Sequence, residues 1–157
     1  MFHRWAALLL VLALCAMSPK NAAGQSQPQP RGQKSVRKPY PNPFNPDIKI
    51  PFPVADSPSG ECGDSSRKNV VTVRISNILS QEVAVPVLEN LPGVTTTVDA
   101  SLVGASLSNV KLVCGDYEAY WNGFVKGTTH EAASGTYLVQ VFVNGKMTYS
   151  TRILNRK

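Results

Sequence analysis

From Ile48 to Leu154 the chain is written in short runs in which apolar and polar positions alternate. Val71, Val73 and Ile75 alternate with Val70, Thr72 and Arg74, the pattern of a strand buried on one face. Thr136–Val143 repeats it more strongly, with Tyr137, Val139, Val141 and Val143 on one face and Leu138, Gln140 and Phe142 on the other. Asn144-Gly145 follows, and then Lys146–Leu154. Two β runs joined by Asn-Gly predict a hairpin, because both turn positions need positive φ. Ile48–Val54 also alternates, but Pro51 and Pro53 confine it to a sheet edge. Val83–Leu88 is an apolar run broken by Pro86. Val94–Val98 and Val110–Val113 are weaker runs, and Tyr117–Trp121 is rich in aromatics. The nearest approach to a helical stretch, Ile78–Leu88, is dominated by β-branched residues and interrupted by Pro86. Short strands separated by turns predict an all-β chain folded as an antiparallel β-sandwich of about seven strands.

The N-terminus follows a different rule. Residues 1–24 have the form of a secretory signal peptide: Arg4 is the positive start, and Ala6–Met17 is an apolar stretch. That stretch is too short for the ~30 Å of a membrane core. Ala22-Ala23-Gly24 offers small residues for cleavage, with Gln25 as the mature start. A lipoprotein acylated at Cys15 is the competing reading, although Leu14 stands where a small residue is expected. Residues 25–39 form a Pro/Gln-rich basic linker with almost nothing to bury, expected to be disordered or extended. Residues 40–157 are the folded domain.

Charge then changes the picture. The 157 residues carry a net charge of +6. Arg4 and Lys20 leave with the signal, and Arg31, Lys34, Arg37 and Lys38 in the linker account for the remaining excess. The folded part is neutral, so the basic character belongs to leader and tail. A nucleic-acid-binding domain carries its basic residues as a patch on the fold, and no nucleic-acid partner is expected. The basic tail reads as a solvated linker, with an anionic membrane or polysaccharide surface as the alternative. Of two histidines only His130 survives signal removal, which excludes a multi-histidine metal site.

Four blocks appear in order. Tyr40-Pro41-Asn42-Pro43-Phe44-Asn45-Pro46 opens the folded part, and Val71–Val83 follows with Ile78-Leu79-Ser80-Gln81-Glu82-Val83 at its end. Tyr117–Gly123 and Ala132–Tyr137 come later, and Arg152-Ile153-Leu154 and Lys157 close the chain. This order resembles the C-terminal sorting domain (type A) of proteins exported by the bacterial type IX secretion system. It is also similar to the related immunoglobulin-like domain of the flagellar hook-cap protein. The resemblance spans Tyr40–Lys157. It differs at Ser80, where the family has Gly, and at Asn122, where it has Asp, and the connections around Glu61–Arg67 and Leu91–Asn109 are longer. It implies an immunoglobulin-like sandwich with no catalytic residues, no cofactor and no small-molecule substrate. The implied role is recognition or assembly through protein partners at the cell envelope, the type IX translocon among them. The implied location is the outer membrane, cell surface or medium, with the periplasm as a further possibility. Membrane association is expected only through such partners or through lipid on Cys15. The residues carrying that role are Tyr40, Pro41, Asn42, Pro43, Phe44, Asn45, Pro46, Trp121, Gly123, Gly135 and Lys157. The C-terminal segment Lys146–Lys157 would offer strand edges for recognition, main-chain bonds giving affinity and side chains specificity. The alternative from another class is a structural accessory subunit of a larger envelope or filament complex, with no C-terminal processing.

Each residue also has a reading of its own. Three prolines keep Tyr40–Pro46 out of any central strand. Phe44, its only large apolar side chain beyond Tyr40, is expected to plug one end of the sandwich, with Asn42 and Asn45 bonding nearby backbone. Trp121 is expected in the core, a sugar-stacking platform being the alternative. Gly135 is expected to supply a backbone shape ahead of the next strand. In an exported chain Cys62 and Cys114 are the remaining pair, and a disulfide between them is expected. Closing a loop of roughly 50 residues is worth on the order of 4 kcal/mol by chain entropy. A Cys–His site using His130, or a Ca²⁺ site from Glu61, Asp64 and Asp116, are weaker alternatives, because no spacing matches a known site. An enzyme would need a polar pocket around His130 or clustered acids.

Overall fold

The computed structural model describes residues 37–55, 62–90 and 98–157. The expected signal peptide, Cys15, most of the linker, Glu61 and Val94–Thr97 lie outside them. Eight strands follow in chain order: β1 (Ile48–Val54), β2 (Lys68–Ser76), β3 (Glu82–Ala84), β4 (Val87–Glu89), β5 (Val110–Val113), β6 (Gly115–Trp121), β7 (Gly135–Val143) and β8 (Lys146–Asn155). A single 3-10 turn at Ala100–Leu102 is the only helical element among the described residues.

The strands make two antiparallel sheets. One has the order β1-β6-β4. In the other, β2, β7 and β8 are neighbours, and β3 and β5 both pair with the far side of β2. Two strands fit on that side because each is short: β5 takes Lys68–Val71, and β3 takes Ile75–Ser76. Between them Leu107 closes the gap, its carbonyl accepting from the Val73 amide at 2.8 Å. The all-β sandwich is as the alternation implied, and alternation decides which faces meet. Ile48, Ile50, Phe52 and Val54 of β1, Val71, Val73 and Ile75 of β2, and Tyr137, Val139, Val141 and Val143 of β7 are buried in one core. β1 is an edge strand, as its prolines required. The β7–β8 turn has Asn144 at φ 52° and Gly145 at φ 79°, the hairpin its sequence predicts.

One run differs from the expectation. Val83–Leu88 is two strands, not one. β3 belongs to the larger sheet and β4 to the smaller, with Val85-Pro86 crossing between them. Pro86 has no amide hydrogen and a fixed φ, so a ladder cannot run through it, and the chain changes sheets there.

Candidate functional site

The register fixes which loops share an end. Trp121 at the close of β6 pairs with Ile48 at the start of β1. Gly135 at the start of β7 pairs with Asn155 at the close of β8, and Ser76 at the end of β2 pairs with Leu138. The segment 40–47, the connection 122–134, the turn 77–81 and the C-terminus therefore gather at one pole. Cys62 and Cys114 lie at the other, joined by a disulfide with Cα atoms 5.6 Å apart. The motif residues singled out above thus collect at one pole, apart from the cysteines.

A chain of rings closes that pole. Phe44 is 1% exposed and its ring lies 5.4 Å from that of Trp121, which meets Tyr137 edge-on at 5.5 Å. Trp121 belongs to one sheet and Tyr137 to the other, so the rings tie the sheets together. The ring polar atoms are satisfied by the connection: Trp121 Nε1 donates to the Phe124 carbonyl at 2.9 Å, and the Tyr137 hydroxyl to the Ala133 carbonyl at 2.7 Å. Burial pushes the Tyr137 pKa upward. Trp121 is core, and no face of it is free for stacking a sugar.

The proline block is bonded to the C-terminal strand. The Phe44 amide donates to the Leu154 carbonyl at 2.9 Å, and the Arg156 amide to the Phe44 carbonyl at 3.1 Å. The Leu154 amide donates to Asn42 Oδ1 at 2.9 Å. Asn42 therefore bonds backbone as expected. Asn45 does not share that role; it stands exposed, because the chain turns at Pro46 before it reaches the strand. Pro46 sits over Gly123, where φ is +80° and an added Cβ would collide with the Pro46 carbonyl. Gly135 opens β7 at φ +155°. Lys157 is pinned through its amide to Ser134 Oγ at 3.1 Å and through Nζ to Glu131 at 3.0 Å. This ion pair is exposed and contributes little. Because Arg152, Leu154 and Arg156 point their backbone groups outward, alternation points Ser150 the same way. β8 is the last strand of its sheet, so its edge is covered by Asn42–Phe44 at the C-terminal half, and among the described residues no strand pairs with it around Ser150.

A second cluster, which the sequence reading missed, lies on the outer face of the smaller sheet. Glu118 is fully buried, although its neighbours Tyr117 and Ala119 take the core parity. The Tyr40 hydroxyl donates to Glu118 Oε2 at 2.6 Å. Glu118 Oε1 has no hydrogen bond, and Lys49 Nζ is 3.7 Å from it. Lys49 Nζ lies 2.8 Å from Glu89 Oε2. Tyr40 and Lys49 are both held above their ordinary pKa values, Tyr40 chiefly by its hydrogen bond to Glu118 and Lys49 chiefly by Glu89. A single charge inside the aromatic run Tyr117–Trp121 was the available signal.

The remaining candidates stay apart. His130 is exposed in the 122–134 connection, and both cysteines are in the disulfide at the far pole. Asp64 accepts from the Ser66 amide and hydroxyl, which holds its pKa low. Among the described residues no three His, Cys, Asp or Glu side chains gather as metal ligands do. At the motif pole, an open-sided groove of about 410 Å³ lies between Val85–Val87 and Asn122–Thr128. The turn 77–81 beside it presents Ile78 and Leu79, at 74% and 73% exposed.

No family model matches the chain, and no curated protein matches it. Among solved structures it is similar to Pseudomonas fluorescens alkylpurine DNA glycosylase AlkC bound to DNA containing an abasic site analog, at 18% identity and a TM-score of 0.38. The match covers 80% of this chain and 32% of that one. A likeness this distant assigns neither an activity nor a ligand.

Proposed function

We propose that this protein is an exported, non-catalytic module, akin to a type IX sorting domain, that is recognised by protein partners at the cell envelope through its C-terminal strand. The observation that carries the reading is the bonding of Asn42–Phe44 to Leu154–Arg156. The first motif block and the closing segment, more than a hundred residues apart, form one backbone-bonded unit. Among the described residues that unit leaves the edge of β8 open toward Ser150. A partner strand added there gains main-chain hydrogen bonds in a fixed register. The aromatic ring chain beneath keeps the surface rigid, which lowers the cost of ordering on binding.

Intact-mass analysis of the protein recovered separately from periplasm, outer membrane and medium tests this reading. The expected result is a surface or released form that is shortened, or carries added mass, on its C-terminal side. A single species running from about Gln25 to Lys157, lodged with other envelope proteins, overturns the sorting role and leaves the structural subunit. A lipid increment at Cys15 places the chain among anchored lipoproteins instead.

A further inference from the structure

Next to the Asn42–Phe44 contact, alternation turns the Ser150 amide and carbonyl and the Arg152 amide toward the outer edge of β8. Among the described residues no strand takes them up. Ser150 and Arg152 stand opposite Gln140 and Leu138 of β7, and their side chains are exposed on the outer face of the sheet. Tyr149 and Thr151 have the inward parity and are half-buried, Tyr149 against the core. A strand added at this edge sets alternate side chains beside Ser150 and Arg152 in solvent. The side chains between them fall over Tyr149 and Thr151.

The charge of this edge is one-sided. Between Ala132 and Lys157 there is no Asp or Glu, against Lys146, Arg152, Arg156 and Lys157. Lys157 is paired with Glu131. The other three form no ion pair with a described residue. Lys146 and Arg152 bracket the open stretch of β8, one at each end. The acids lie elsewhere: Glu89, Asp116 and Glu118 share the outer face of the smaller sheet, and Glu82 is held between Arg74 and Lys126. Cations on an edge strand turn away strands of like charge, a second copy of β8 included. They favour an acidic strand, because opposite charges across a strand pair attract and a long arginine also reaches the diagonal position.

We propose that the partner strand received by β8 is acidic: an extended protein segment with Glu or Asp at the outward positions beside Ser150 and Arg152, and an apolar residue between them over Tyr149. This rests on the reading above that a partner adds to the β8 edge, and it names the chemistry of that partner. Main-chain bonds to Ser150 and Arg152 hold any strand in register, whereas the bracketing cations choose among strands. The domain as a whole does not attract acids, since its charges balance; the preference belongs to this edge.

The test titrates the isotope-labelled, disulfide-bonded protein with three soluble strand peptides. They share alternating Thr and Val and differ in carrying Glu, Gln or Lys at two central outward positions. Shifts of the residue 150 and 152 amides in nuclear magnetic resonance spectra report binding, weak binding included. The Glu peptide is expected to bind about tenfold tighter than the Lys peptide, with Gln between them. The double substitution K146Q/R152Q acts on exposed side chains and should bring the three affinities within about twofold of one another. Ser150→Pro removes an amide that makes no ladder bond, so the melting temperature should hold while every peptide loses affinity. If that variant does not fold, the charge variant still decides. Equal affinities for the three peptides at this edge overturn the acidic partner and leave strand addition standing. Amides 150 and 152 unmoved by every peptide overturn strand addition at β8, and the acidic partner with it. A preference for Glu that survives K146Q/R152Q places the charge contact elsewhere and also overturns the proposal.

Discussion

Between Tyr117 and Trp121 every second side chain enters the core, and Glu118 falls on the other parity yet is wholly buried. A buried carboxylate is tolerable only if it is bonded or paired. Tyr40 supplies the bond and Lys49 the nearby charge. Tyr40→Phe therefore leaves Glu118 Oε2 without its donor, and we expect a loss of about 1–3 kcal/mol in urea unfolding. Glu118→Gln in the Tyr40→Phe background recovers part of it, and a coupling energy near zero in that cycle would show that the two act independently. The same cluster contributes to the alkaline limit, together with Tyr117, Tyr120 and Tyr137, whose pKa values burial also raises. The ordinary pKa values of Tyr40 and Lys49 are 10.0 and 10.5, and both are raised in the fold. A group with a higher pKa folded than unfolded contributes stability that is whole below the unfolded value and is lost as pH rises through the folded one. Melting temperature followed from about pH 8 to about pH 11 should fall above ~10, and Tyr40→Phe should flatten that fall. A wild-type curve flat across this range removes the cluster from the stability argument.

At the scale of elements, the pole depends on one close approach: the 122–134 connection against the proline block. Gly123 carries both demands, a left-handed φ of +80° and no room for a Cβ under the Pro46 carbonyl. Gly123→Ala should cost about 1–3 kcal/mol for the backbone conformation alone, and more for moving Pro46. Denaturant unfolding with an unchanged slope measures it; a midpoint equal to wild type would mean that Pro46 yields freely. The sequence made some of this legible. Trp121-Asn122-Gly123 reads as a strand entering a tight turn, Phe44 as a lid, and Asn144-Gly145 as a hairpin, because each signal is local. The split of Val83–Leu88 was visible only as a proline in a strand. Which sheet each half joins depends on β2 and β6, far away in sequence. The same holds for Asn42 and Leu154: the asparagine announces a backbone bond, but no local pattern names a partner 112 positions distant. Glu118 was hidden for a related reason, since parity alone places it in solvent, and the Tyr40 hydroxyl that bonds it arrives from the distant proline block.

Across the whole molecule, the two poles are stabilised by different means. The motif pole is held by three rings and by hydrogen bonds between the proline block and the C-terminal strand. The other pole has the Cys62–Cys114 link, which ties the approach to β2 to the residue preceding β6 and so joins the two sheets covalently. With the cysteines 52 positions apart in sequence, its removal should cost about 4 kcal/mol by loop entropy. Typical domains have 5–15 kcal/mol in total, so a C62S/C114S chain should stay folded with a much lower melting temperature. The loss should also be uneven. Opening the far pole loosens the pairing of Lys68–Val71 with Val110–Val113, while the bonds from Phe44 to Leu154 and Arg156 do not involve that end. Native-state hydrogen exchange in the double variant should therefore show faster exchange in β5 and the start of β2, beyond the uniform loss of global stability. The Phe44 and Arg156 amides should follow the global loss alone. If all these amides accelerate together, the sandwich opens as one cooperative unit and the two poles are not separable. If the difference appears, the surface proposed to be read by a partner keeps its shape when the disulfide is reduced.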